Sequence, residues 1–215
     1  MAYPISKRII PPLYSLWIRK VEGLENIPKH TPFIIAANHA SYYDALLPAV
    51  VIAPIIDRKM HAMVNSFYWK IFITRFFLDL WEEIPVYVGE EKDTKEKNKA
   101  AFEKAVIYLK KEEPIIIFPE GTRSHDGKLK KAFTGVARLA LKAKVPVLPF
   151  GVIGSSKVLP RGKMLPRFAR CRVKIGKPIH FGKYYNKKES KKTLENITRR
   201  IMKEIAKLIS QSYNH

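Results

Sequence analysis

Apolar residues along this chain fall into two alternating patterns. Short unbroken runs, Phe33 to Ala37, Ile115 to Phe118 and Val145 to Phe150, read as buried strands, since a strand covered on both faces needs no polar alternation. In "CRVKI" the residues Cys171, Val173 and Ile175 fall on one side, which marks a further strand. Elsewhere apolar positions recur every three or four residues. Ala101, Phe102, Ala105, Val106 and Leu109 share one face of a helix expected over 98–111, and residues 132–142 read as a second helix. Leu194, Ile197, Ile201, Ile205, Leu208 and Ile209 line a C-terminal helix, with Arg199, Arg200, Lys203 and Lys207 around it. Strands alternating with helices predict a single α/β domain: a largely parallel or mixed sheet flanked by helices.

Three apolar stretches fit this pattern less simply. Residues 66–81, "SFYWKIFITRFFLDLW", are apolar at most positions and dense in aromatics. They read either as a central core helix or as the wall of an apolar pocket or membrane face, and Phe67, Phe72 and Phe76 are its candidate groove residues. Ile9 to Ile18, with Lys7, Arg8, Arg19 and Lys20 at its flanks, reads as an interfacial anchor or as a helix that closes the core. Pro11-Pro12 is expected at the start of that helix. The expected organisation is a short N-terminal helical anchor segment over 1–30 and a domain over 31–215. Ala45 to Ile56 is the longest apolar run, interrupted by Pro48 and Pro54, and is shorter than the roughly 20 residues of a membrane span.

Charge changes this picture more than composition does. The 215 residues carry a formal net charge of +21, and residues 121–215 hold 24 Lys/Arg against 4 Asp/Glu. Such asymmetry points to an anionic partner: nucleic acid, a phosphorylated substrate or an anionic membrane surface. No RNP-like, KH or zinc-knuckle signature accompanies it, so no nucleic acid is expected. The single cysteine, Cys171, excludes a disulfide framework and a thiolate metal site, and no metal is expected. Without an apolar signal core at the N-terminus, the chain is expected on the cytoplasmic face of a membrane, as a peripheral protein.

The candidate chemistry lies just after three of the strands. "NHASYYD", Asn38 to Asp44, follows the first; "PEGTRS", Pro119 to Ser124, the second; "GVIGSS", Gly151 to Ser156, the third. If these strands run parallel, the motifs share the sheet edge where α/β proteins bind ligands. His39 in a strand-to-helix turn and Asp44 in the first helical turn could form a base with its orienting carboxylate. Asp44 could equally be a capping residue, with Ser41 as N-cap. In the second motif Gly121 permits a tight turn, Arg123 offers a donor fork suited to phosphate, Thr122 adds a hydroxyl, and Glu120 could accept from a polyol.

Asn38-His39 with Asp44, "FPEGTRS" at 118–124 and "VPVLPFGVIGS" at 145–155 resemble the glycerolipid acyltransferase family, whose best-known members are the 1-acylglycerol-3-phosphate acyltransferases of the PlsC type. Phe133, Gly135 and "VKIGKPI" add to the likeness, which runs from about residue 20 to 182. The resemblance implies an enzyme of phospholipid biosynthesis. Its co-substrate would be an acyl-CoA or acyl-carrier protein, with no other cofactor, and its acceptor lysophosphatidic acid. In that reading His39 is the general base and Asp44 orients it. Glu120, Gly121, Thr122 and Arg123 hold the acceptor's glycerol phosphate, and Pro149 shapes the acyl-donor site.

One block departs from the family pattern. An arginine usually follows an Ile-Pro-Val-like strand, whereas here "IPVYVGEEKDTKEK" places Val88 at that point. Lys92 or Lys95 could take its place, though neither offers a guanidinium fork. The acceptor could therefore be a different lyso-lipid, and a non-catalytic protein that binds RNA or anionic lipid is the other reading. Nothing in the sequence bears on oligomeric state.

Overall fold

A computed structural model of the chain describes residues 2–89 and 93–215, with the backbone alone for 2–7. Among the described residues, seven strands form one mixed sheet: β1 (Ile18–Glu22), β2 (Ile34–Ala37), β3 (His61–Asn65), β4 (Ile84–Val86), β5 (Ile115–Ile117), β6 (Val147–Ile153) and β7 (Cys171–Ile175). Their spatial order is β1-β7-β6-β2-β5-β3-β4. β2 is parallel to both β5 and β6, and β3 is parallel to β4 and β5, whereas β7 runs antiparallel to β6. The expected sheet is therefore present, and its central strands all run one way.

The unbroken apolar runs are explained by what covers them. Phe33, Ile34, Ile35, Ala36 and Ala37 are all 0% exposed, because β2 lies mid-sheet with helices on both faces. Ile34 and Ala36 join a core formed with α4 (Thr94–Lys110), α5 (Gly135–Ala143) and α7 (Lys191–Leu208). Phe33, Ile35 and Ala37 face the opposite core, which includes α2 (Leu47–Ile56) and the single-turn α6 (Ser155–Val158). Burying each large side chain contributes about 1.5–3 kcal/mol. Cys171 is a fully buried strand thiol, as its alternation predicts.

Several boundaries differ from expectation, each for a local reason. β6 continues to Ile153 because β7 pairs with its last four residues after β2 has ended. α4 begins a turn before residue 98, in a wholly polar stretch without apolar periodicity. α5 starts only at Gly135, since Phe133 N donates to Pro119 O at 2.8 Å and keeps residues 132–134 out of the helix. β1 lies inside the expected anchor segment and pairs with β7, so of that segment only α1 (Ala2–Ser15) and a linking turn precede the sheet.

α1 also corrects the placement of the prolines, for Pro11 and Pro12 lie within the helix. Two main-chain donors are thus missing there. What holds the helix is its last turn, where Tyr14 stacks on Tyr43 with ring centroids 4.2 Å apart. The two hydroxyls exchange bonds, Tyr14 Oη to Tyr43 O at 2.8 Å and Tyr43 Oη to Tyr14 O at 2.6 Å.

Residues 66–81 form neither one helix nor a core element. A 3-10 turn (Ser66–Lys70) is followed by Ile71 in extended conformation and then α3 (Phe72–Leu80). Thr74 Oγ1 turns back to Ile71 O at 3.0 Å, and Asn65 Oδ1 caps Phe67 N at 2.9 Å, so local side-chain bonds divide the segment. Phe67, Phe72 and Phe76 are 55, 85 and 58% exposed. No helix among the described residues is long and apolar enough to cross a membrane.

Candidate functional site

Because β2, β5 and β6 are parallel, the turns that follow them meet at one edge of the sheet. Main-chain bonds join the first two turns around His39: its N–H donates to Glu120 Oε1 at 2.9 Å, and its carbonyl accepts from Ser124 N at 2.7 Å. The third turn is joined through Asn38, whose amide imitates a strand. It donates to Val152 O at 3.0 Å and accepts from Val152 N at 2.7 Å, where β2 has run out.

In the turn itself Ser41 is the N-cap of a 3-10 turn (Tyr42–Ala45), accepting from Tyr43 N at 3.1 Å. Asp44 Oδ2 accepts from Ala40 N at 2.6 Å, from Ser41 N at 2.7 Å, and lies 3.3 Å from His39 Nδ1. Asp44 is 0% exposed, whereas the His39 side chain keeps 17%. The two readings of Asp44 are thus one arrangement: the carboxylate that closes the capping box also faces the imidazole. With Nδ1–H donating to Asp44, the Nε2 lone pair is free to take a proton. The His39 ring stacks on Phe118 at 4.2 Å, which limits its rotation.

Glu120 is placed otherwise than expected. It is 2% exposed, and both its oxygens are engaged by main-chain donors, the second by Lys130 N at 2.8 Å. Burial pushes its carboxyl above the usual range, against the pull of those two N–H groups. Glu120 therefore ties the His39 backbone to the second motif and does not project toward a polyol. Gly121, at φ +67°, makes the turn, and a Cβ there would come within 2.8 Å of the Phe133 ring. Thr122 is exposed.

The guanidinium of Arg123 lies over the Tyr42 ring, 3.4 Å from its centroid, and Tyr68 Oη reaches Tyr42 Oη at 3.4 Å. Sequence reasoning missed these two tyrosines; the sole hint was that Tyr42 lies between His39 and Asp44. Lys130 was missed as well: its Nζ donates to Arg123 O at 3.2 Å.

Other expected residues lie apart from this cluster. Pro149 is buried within β6, paired with Ala36 and packed against Gly176. The rings of Phe67, Phe72 and Phe76 are exposed on the 3-10 turn and α3. An apolar cleft lies between α1 and α2, lined by Ile10, Pro11, Leu46, Val50, Met60 and Trp81, with Leu46 two residues beyond Asp44. Val88 is exposed, and both main-chain groups of Tyr87 are held by the Asn98 amide at 2.8 Å. Lys95 is exposed in the first turn of α4, and Lys92 lies outside the described residues.

Comparison with known proteins places this geometry among relatives. A family model described as Acyltransferase matches residues 18–153. The chloroplastic 1-acyl-sn-glycerol-3-phosphate acyltransferase LPAT1 of Arabidopsis thaliana is 28% identical over 173 residues, 80% of this chain and 46% of that protein. The 1-acyl-sn-glycerol-3-phosphate acyltransferase of Bacillus subtilis is 29% identical over 162 residues, 75% of this chain and 73% of its own length. The crystal structure of the 1-acyl-sn-glycerophosphate (LPA) acyltransferase PlsC from Thermotoga maritima superposes with a TM-score of 0.69 at 25% identity, covering 96% of this chain and 79% of that one. The chain spans about half the length of the first two curated plant relatives it matches, 46 and 48%.

Proposed function

From the premise that this chain belongs to the acyltransferase family, we propose that it transfers a fatty acyl group from an acyl thioester to the free hydroxyl of lysophosphatidic acid. The product is phosphatidic acid, and the chain works at the surface of an anionic membrane. The observation that carries this reading is His39, held at Nδ1 by buried Asp44 at 3.3 Å and tied through its backbone to the turn that bears Arg123.

In this mechanism His39 Nε2 takes the proton of the acceptor hydroxyl as its oxygen attacks the thioester carbonyl. The tetrahedral intermediate collapses with loss of the thiolate, which recovers the proton from the imidazolium. No covalent acyl-enzyme is needed. Asp44 stabilises the transient imidazolium and keeps the ring in the productive tautomer. Arg123, oriented by Tyr42, receives the acceptor phosphate, and the cleft beyond Asp44 takes the acyl chain. An acceptor with another headgroup is the second reading, favoured by exposed Val88 where a second arginine is expected.

The test is release of free thiol by purified protein supplied with an acyl-CoA or an acylated carrier protein and a panel of lyso-acceptors. Fastest turnover is expected with lysophosphatidic acid. Arg123→Ala should raise the acceptor KM by about tenfold or more, the worth of a charge-assisted phosphate contact, with little effect on donor KM. Preference for a lyso-acceptor without a terminal phosphate would select the second reading.

A further inference from the structure

Three of the four most exposed large apolar side chains of the described residues lie in the loop between α6 and β7. Phe168 is 112% exposed, Met164 94% and Leu165 80%. Arg161, Lys163, Arg167 and Arg170 alternate with them, and every residue from Arg161 to Phe168 is exposed. Between Asp126 and Glu189 the chain contains no acidic residue at all, so nothing nearby in sequence neutralises these cations.

The loop is nevertheless a braced element. Gly162, at φ +75°, makes a turn that Lys163 N closes on Pro160 O at 3.1 Å, and Arg167 N donates to Val158 O at 2.7 Å. Trp17 Nε1, from the segment that follows α1, holds Arg167 O at 3.0 Å. At its start the loop is fixed to the candidate site: Ser41 Oγ, the N-cap of the His39–Asp44 turn, donates to Leu159 O at 2.7 Å. The Arg161 guanidinium also donates to the imidazole of His125, next to Ser124.

Three apolar side chains held clear of the protein by a rigid loop cost free energy in water. A collar of cations around them rules out a basic or purely apolar partner. We propose that the loop 161–170 is an interfacial insertion device for an anionic bilayer. Met164, Leu165 and Phe168 enter the acyl region while the arginines and Lys163 engage lipid phosphates. This deepens the reading above, since the loop shares Ser41 with the catalytic turn and so brings His39 to the depth at which a lyso-lipid hydroxyl lies.

The test is co-sedimentation of the full chain with vesicles of phosphatidylcholine containing phosphatidylglycerol, and with vesicles of phosphatidylcholine alone. The parent should bind the anionic vesicles and bind the neutral ones weakly. The triple variant Met164→Ser, Leu165→Ser, Phe168→Ser should lose about tenfold or more of its anionic-vesicle partition, with an unchanged melting temperature, because the three side chains touch little of the fold. Independently, Leu165→Cys carries an environment-sensitive fluorophore cleanly, because the one native thiol, Cys171, is buried. Its emission should shift to the blue on anionic vesicles. An unchanged partition of the triple variant, or a label that keeps its aqueous emission on vesicle-bound protein, overturns the proposal. So does a parent that ignores vesicles but binds single-stranded RNA. Turnover of a water-soluble short-chain lyso-acceptor by the parent separates the two readings. Without that turnover the enzyme reading falls and the vesicle result stands; with it, an unchanged triple variant removes only the loop.

Discussion

Asp44 carries two tasks on one oxygen. Oδ2 accepts the N–H groups of Ala40 and Ser41 and faces His39 Nδ1, so the bonds that shape the turn also aim the imidazole. This makes Asp44→Asn informative. An asparagine oxygen in the place of Oδ2 can keep the main-chain bonds and still face Nδ1, but the negative charge that stabilises the imidazolium is lost. We expect kcat to fall by about 10²–10⁴-fold, the usual worth of a positioned base, with acceptor KM changed only a few-fold. Thiol release at saturating substrate measures this, and a parental kcat would remove Asp44 from the mechanism. Glu120 shows the limit of reading one residue from its chemistry alone. A carboxylate in a phosphate-suited turn looks like a substrate contact, yet its oxygens are spent on His39 N and Lys130 N, a fact visible only once two strands are adjacent.

At the scale of elements, the β3–β4 edge holds a partly buried carboxyl. Glu83, just before β4, accepts from Ala62 N and borders the apolar cleft, and burial pushes its pKa from 4.5 to about 8. The native chain therefore holds this proton more tightly than the unfolded chain. Its stability contribution is intact below about pH 4.5 and is lost as pH rises toward about 8. Glu83→Gln keeps an oxygen for Ala62 N and removes the titration. The variant should melt above the parent at pH 8.5, and the advantage should fade by pH 5; an offset independent of pH would contradict this. β2, β5, β6 and the turns after them are legible in sequence because burial on both faces leaves unbroken apolar runs that end at polar motifs. β1 is not, since it lies at the sheet edge with Arg19 and Lys20 exposed. β3 is hidden because it opens on a buried histidine, His61, which is stacked on Tyr108 at 3.6 Å and joined to Glu113 at 3.1 Å. The aromatic density of 66–81 reads either as a core helix or as the wall of an apolar pocket or membrane face; the segment is divided beside side-chain bonds of Asn65 and Thr74, and its rings are exposed, which excludes the core helix. No periodicity reports that.

For the molecule as a whole, the parallel central strands bring three motifs to one edge of a chain whose net charge is +21. The same topology fixes His39 in the turn after β2, a phosphate-suited arginine in the turn after β5 and a basic, apolar-tipped loop after β6. In the function proposed above, only the first of these does the chemistry. The central claim is therefore that His39 deprotonates a lyso-lipid hydroxyl during acyl transfer. Its most direct test compares the parent and His39→Ala in phosphatidic acid formation from lysophosphatidic acid and an acyl-CoA, with folding checked by thermal melt and vesicle binding by co-sedimentation. The account predicts a parent that forms phosphatidic acid and a folded, vesicle-binding variant whose kcat is lower by about 10²–10⁴-fold; a His39→Ala protein that acylates at the parental rate would contradict it.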